Sequence, residues 1–111
     1  MNLIEKYNAA LDERAEQFRL EAELAQSNGD ERSRSMALMQ QSMLGDMLKA
    51  LGRVEHAGRR GTLQRVIDGA EAAERAQKAR GDYDAADREA VKARTVRWAK
   101  ETLERLEASE L

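Results

Sequence analysis

No proline occurs anywhere in this chain, and that absence limits the folds it can adopt. Proline stops helices from within more strongly than any other residue, and the chain has none in 111 residues. The frequent residues Ala, Glu, Arg, Leu and Lys are good helix formers, whereas four valines and two isoleucines offer little strand propensity. We therefore predict an all-α fold, with residues 1–111 forming a single helical domain.

Two short turn sequences divide the chain. Gly29-Asp30 and Gly81-Asp82 each place a residue that accepts left-handed backbone before an aspartate that can cap the next helix. A third break is expected between residues 52 and 61, the only glycine-rich stretch. The sequence thus predicts a four-helix antiparallel bundle or two packed helical hairpins. The expected helices cover about residues 2–27, 31–56, 62–80 and 83–108.

The most apolar segment, Met36–Leu51, holds four of the five methionines. On a helix, three of them fall on one line with Leu51, and the apolar arc covers half the circumference. An ordinary surface helix has a narrower stripe. We expect this segment to be the central helix, with neighbours on more than one side. The predicted core consists of Phe18, Met36, Met43, Met47, Leu51 and Trp98.

The core material is thin, which favours a partner protein. Only 27 side chains are large and apolar, and much of the 41% hydrophobic content is alanine, which removes little area from water. Leu20 and Leu24 point away from the apolar face of the first helix, and Val96 and Leu103 lie beyond that of the fourth. We predict a small protein–protein interaction module, an adaptor, chaperone-like or regulatory protein, that forms a homodimer through these four residues.

The densest positive charge supports a second interpretation. Arg53, Arg59, Arg60 and Arg65 lie on or beside the predicted glycine-rich loop, next to a helix N-terminus. Arginines in that setting can bind phosphates or an acidic protein patch, so the alternative is a nucleic-acid-associated regulator. The net charge of −2 and the lack of interleaved aromatic residues argue against nucleic acid. A solvated loop, or pairing with the acidic first helix, also remains open.

Signatures of catalysis and metal binding are missing from the sequence. It contains no GxxxxGK loop and no HExxH motif, and the single His56 has no second His or Cys to complete a zinc site. The absence of cysteine fits a reducing compartment. We expect a non-enzymatic, cytoplasmic protein without cofactor, metal or membrane segment. A small-molecule pocket lined by methionines and Trp98 is a third alternative.

Residues 80–93, RGDYDAADREAVKA, resemble the turn and second helix of a tetratricopeptide repeat. In that family a turn of this type is followed by small residues at fixed helical spacing, here Ala86 and Ala93. The preceding helix does not match the family's bulky aromatic and glycine positions, and no 34-residue period is present. The resemblance is confined to this stretch, and we assign no family from it.

Overall fold

The computed structural model describes residues 2–110 and contains four α-helices. These are α1 (Leu3–Ser27), α2 (Glu31–Leu51), α3 (His56–Ala79) and α4 (Tyr83–Ser109). α1 packs along α2 and α3 packs along α4, so the predicted all-α arrangement of four helices is confirmed, and no strand occurs within residues 2–110. None of these helices is long and apolar enough to cross a bilayer.

The two predicted turns close the two hairpins. Gly29 and Gly81 have φ angles of 70° and 78°, the left-handed conformation that glycine adopts without steric cost. Asp30 accepts a hydrogen bond from the backbone N–H of Ser33, and Asp82 accepts one from that of Ala85, both at 3.1 Å. The Ser33 hydroxyl also donates to Asp30 at 2.7 Å and lowers the pKa of its carboxyl. Each turn therefore ends one helix and caps the next.

The connection between the hairpins is shorter than predicted. α2 ends at Leu51 rather than near residue 56, and α3 begins at His56 rather than near residue 62, which leaves only residues 52–55 between them. Glycines inside this segment weaken a helix but do not forbid one. Here the first turns of α3 are held by burial of Leu63 against the rest of the molecule.

The helix at the centre of the molecule is α4, so the prediction that α2 is central is wrong. α4 packs along α3 and also contacts α1 and α2. Its second half is buried on two faces about 100° apart, with Val96 and Leu103 on one and Thr95 and Thr102 on the other. Ala99 lies between these faces and is fully buried. Small side chains allow α4 to have neighbours on both sides.

α2 buries a different face from the one that its methionines suggest. Its buried residues are Ala37, Gln40, Leu44 and Leu51. Met43 and Met47 pack partly exposed against the edge of the core, as does Trp98 from α4, whereas Met36 lies outside the core cluster. Phe18 and Leu51 are buried as predicted, and the methionine row is a flank of the core rather than its centre. On this buried face, Gln40 meets Thr95 of α4 in a hydrogen bond of 3.0 Å.

A buried tyrosine ties α1 to α4. The Tyr7 hydroxyl donates to the backbone carbonyl oxygen of Ala99 at 3.0 Å, in a side chain with no exposed surface. Burial raises the pKa of Tyr7 to about 12, and the nearby Arg59 opposes that rise. The cluster around it contains Tyr7, Leu11, Phe18, Leu44, Leu51, Leu63, Ile67, Val96, Ala99 and Leu103. All four helices contribute to this one core.

Candidate partner-binding surfaces

The leucine pair of α1 lies on the outside of the molecule. Leu20 and Leu24 are 51% and 64% exposed, one turn apart on the side of α1 opposite its buried residues. Arg19 pairs with Glu16 and Glu23 at 2.5 Å beside them. The two leucines therefore form an apolar patch, here called the leucine patch, on an otherwise charged helix surface.

The other half of the predicted dimer surface does not exist. Val96 and Leu103 have no exposed surface, because they form the interface between α4 and the rest of the core. Both residues lie outside the apolar face of α4 only if that helix packs through a single face. Since α4 is packed on two faces, these residues are core residues, and the prediction that they contact a partner is wrong.

The four arginines of the predicted anion site do not form a common site. Only Arg53 lies in the loop, whereas Arg59, Arg60 and Arg65 belong to α3. Arg59 is buried, Arg60 pairs with Glu107 at 2.8 Å, and the Arg65 guanidinium donates to the Thr62 hydroxyl at 3.3 Å. Arg59 is therefore too buried, and Arg60 already paired, to bind a phosphate. The other two arginines alone do not make the predicted cluster of four.

A different set of polar side chains surrounds Trp98, in the groove between α1 and α4. The Arg14 guanidinium carbon lies 4.7 Å from the centre of the Phe18 ring and 5.5 Å from that of the Trp98 ring. A cation that faces two aromatic rings is held by their quadrupoles, at about 0.5–1 kcal/mol for each exposed contact. Arg14 also donates to the Gln17 side chain at 3.0 Å. Its guanidinium is therefore positioned within the groove.

The deepest part of this groove is a pocket of about 130 Å³ where α1, α2 and α4 meet. Its walls combine two aromatic rings, two guanidinium groups and two neutral polar side chains, and they include no carboxylate. The lining residues are Arg14, Phe18, Gln40, Arg94, Thr95 and Trp98. We call this the Trp98 pocket. It is open to solvent along α4, where two further depressions, of about 190 and 630 Å³, continue it past Thr102 and Arg105.

Arg14 and Arg94 have no acidic partner in the Trp98 pocket. Neither forms an ion pair with any group in residues 2–110, and the same holds for Arg105 further along the groove. Gln40 donates through its amide to the Met36 carbonyl oxygen at 3.2 Å, which uses one of its two N–H groups. The pocket thus offers hydrogen-bond donors and positive charge without a matching anion.

The methionines line a separate groove. Met36 and Met39 face a depression of about 550 Å³ between the first turns of α2 and α4, across which Arg32 pairs with Asp87 at 2.7 Å and Asp84 at 3.4 Å. Trp98 does not line this depression, so the predicted ligand pocket shared by methionines and Trp98 is not formed. The ion pairs of Arg32 instead bridge the two hairpins near their turns.

Metal-binding geometry is absent from the part of the chain that the structure describes. No group of three or more His, Asp or Glu side chains in residues 2–110 is placed to hold a metal ion. His56 lies with its Nε2 atom 3.7 Å from Glu107, while its Nδ1 atom is buried without a hydrogen-bond partner.

No protein-family model, curated protein or solved structure matches this chain.

Sequence reasoning missed the polar residues of the Trp98 pocket. Arg14 and Arg94 are single charges on long charged helices, and nothing in their spacing distinguishes them from other surface arginines. Gln40 interrupts an apolar segment, and this interruption is the one feature of the sequence that indicates a buried polar contact here. A glutamine on the buried side of a helix needs a hydrogen-bond partner, which here is Thr95.

Proposed function

We propose that this chain is a small, non-enzymatic protein–protein interaction module, of the adaptor, chaperone-like or regulatory kind, acting in the cytoplasm. The observation that supports the proposal is the leucine patch. Leu20 and Leu24 are the two most exposed leucines of the described chain, while ten other residues gather into one core. Removing this apolar surface from water is favourable at about 25 cal/mol per Å².

A second copy of the chain is the occupant that we propose for the leucine patch. In a two-fold symmetric dimer the same patch is presented by both protomers, so an apolar patch is automatically complementary to itself. Two leucines per protomer fall well short of the interface of about 1,000 Å² that a stable complex needs. We therefore expect weak, reversible self-association that another protein can replace.

Sedimentation equilibrium from micromolar to millimolar concentration tests this proposal. We expect the wild-type protein to pass from monomer to dimer within that range. The double variant Leu20→Ser/Leu24→Ser is expected to remain monomeric, because it removes the apolar contact without changing charge.

The matched control is Leu38→Ser/Val66→Ser, which replaces two partly exposed apolar residues on α2 and α3. It should associate as the wild type does. A wild-type protein that stays monomeric throughout, or a control that loses association as the leucine variant does, contradicts the assignment of the interface to α1.

A further inference from the structure

We propose that the Trp98 pocket binds a carboxylate carried by an acidic segment of a partner protein. This inference rests on the proposed function only in that the ligand is a protein segment. It concerns a different surface from the leucine patch, since its residues come from α1, α2 and α4 together.

The positive charge of the pocket favours an anion. Arg14 and Arg94 both line it, no carboxylate does, and neither arginine pairs with an acidic group elsewhere in residues 2–110. Eight of the 19 Lys and Arg side chains form an ion pair within residues 2–110, and Arg14 and Arg94 are not among them. What distinguishes these two arginines from the other unpaired ones is that they line one pocket together, without a carboxylate in its walls.

Aromatic contacts hold Arg14 at the pocket. Its guanidinium carbon lies 4.7 Å from the centre of the Phe18 ring and 5.5 Å from that of the Trp98 ring. A guanidinium edge matches a carboxylate through two parallel hydrogen bonds, which are stronger than neutral ones. Gln40 adds an amide with one N–H group not used by the Met36 carbonyl oxygen.

The volume limits the ligand to a small group. A pocket of about 130 Å³ holds roughly four water molecules at about 30 Å³ each. That space accommodates the end of one Glu or Asp side chain. The pocket therefore suits a single carboxylate.

The single tryptophan of the chain lies in this pocket and provides the measurement. The probe is acetylated, amidated hexaglutamate, titrated against the full chain at low salt, with Trp98 emission and calorimetric heat recorded together. We expect a saturable change in both signals. Hexaglutamine of the same length should produce neither, because it has the same backbone without the carboxylates.

Two substitutions assign the binding to the pocket. Arg94→Gln does not touch the Trp98 stack and should weaken hexaglutamate binding at least tenfold, and Arg14→Gln should do the same by calorimetry. Arg75→Gln, at an exposed arginine of α3, is the matched control and should bind as the wild type does. Circular dichroism of each variant confirms that the helices remain.

Three results would contradict the inference. Equal binding of hexaglutamine, equal loss in Arg75→Gln, or tighter binding of an oligothymidylate than of hexaglutamate would each overturn it. If hexaglutamate does not bind but the wild type still dimerises through the leucine patch, the proposed function stands without this site. If hexaglutamate binds and no dimer forms, the carboxylate site stands and the proposed dimer does not.

Discussion

Arg59 is the residue whose surroundings differ most from those of an ordinary arginine. Its side chain is 5% exposed, its Nε and Nη1 atoms are buried without a hydrogen-bond acceptor, and its guanidinium carbon lies 6.0 Å from the centre of the Tyr7 ring. A buried charge without a partner costs free energy that its aliphatic stem does not fully offset. Arg59 is therefore a source of instability at the start of α3.

We predict that Arg59→Met increases the free energy of unfolding by about 1 kcal/mol, because methionine fills the same space without unsatisfied donors. Arg59→Ala should decrease it by a similar amount, since it leaves a cavity. Urea denaturation of the two variants and the wild type measures both effects. A methionine variant no more stable than the alanine variant would show that the guanidinium contributes favourably.

Tyr7 predicts how stability changes at high pH. Its pKa is about 12 in the folded protein because of burial, against about 10 in the unfolded chain. A raised folded pKa gives stability that is complete below pH 10 and is lost as pH rises towards 12. At pH 11 the loss is about 1 kcal/mol relative to pH 9. The Tyr7→Phe variant has no hydroxyl to ionise and should not lose this stability. The difference between the urea midpoints of the wild type and the variant should therefore narrow from pH 9 to pH 11.

Two glycines in different settings test the account at the scale of the helix. Gly69 is inside α3 with open space where a Cβ would lie, so Gly69→Ala should stabilise the protein by about 0.5–1 kcal/mol. Gly81 has a φ of 78° in the turn before α4, so Gly81→Ala should destabilise it by about 1 kcal/mol. Thermal unfolding of both variants gives the signs. Two shifts in the same direction would contradict the turn that closes the second hairpin.

The contact of α2 with α4 depends on a buried polar pair. The Thr95 hydroxyl lies 3.0 Å from the Gln40 side-chain oxygen and 2.8 Å from the Val91 carbonyl oxygen, so its one proton is shared between them. Thr95 and Gln40 are both less than 10% exposed, so Thr95→Val, which removes the shared donor, should cost about 1 kcal/mol. In a double-mutant cycle with Gln40→Leu, we expect a coupling energy of about 1 kcal/mol by urea denaturation. Additive effects would mean that the pair does not join the hairpins.

Local sequence signals predicted the helices well and their faces less well. The Gly-Asp turns place the ends of α1 and the starts of α2 and α4 within a residue or two, because left-handed glycine and aspartate caps are local chemistry. The start of α3 was missed because the glycines there are outweighed by burial of Leu63 in the core. The buried face of α2 was misplaced because hydrophobicity ranks Met36 above Gln40, whereas the packed structure buries the glutamine.

At the scale of the whole molecule, the arrangement of the hairpins decides which surfaces remain available. The molecule extends 44 × 35 × 22 Å, with α4 packed against the other three helices and α1 presenting one face to solvent. The leucine patch was predictable, because its residues point away from the apolar side of their own helix. The Trp98 pocket was not, because it requires α1, α2 and α4 to be placed together.

We propose that this molecule contacts partners through the outer face of α1. Backbone amide chemical shifts recorded from micromolar to millimolar protein concentration report on that contact residue by residue. We expect concentration-dependent shifts to centre on Leu20 and Leu24, and to be absent in Leu20→Ser/Leu24→Ser. Shifts that do not change with concentration, or that centre on α3, would contradict the claim.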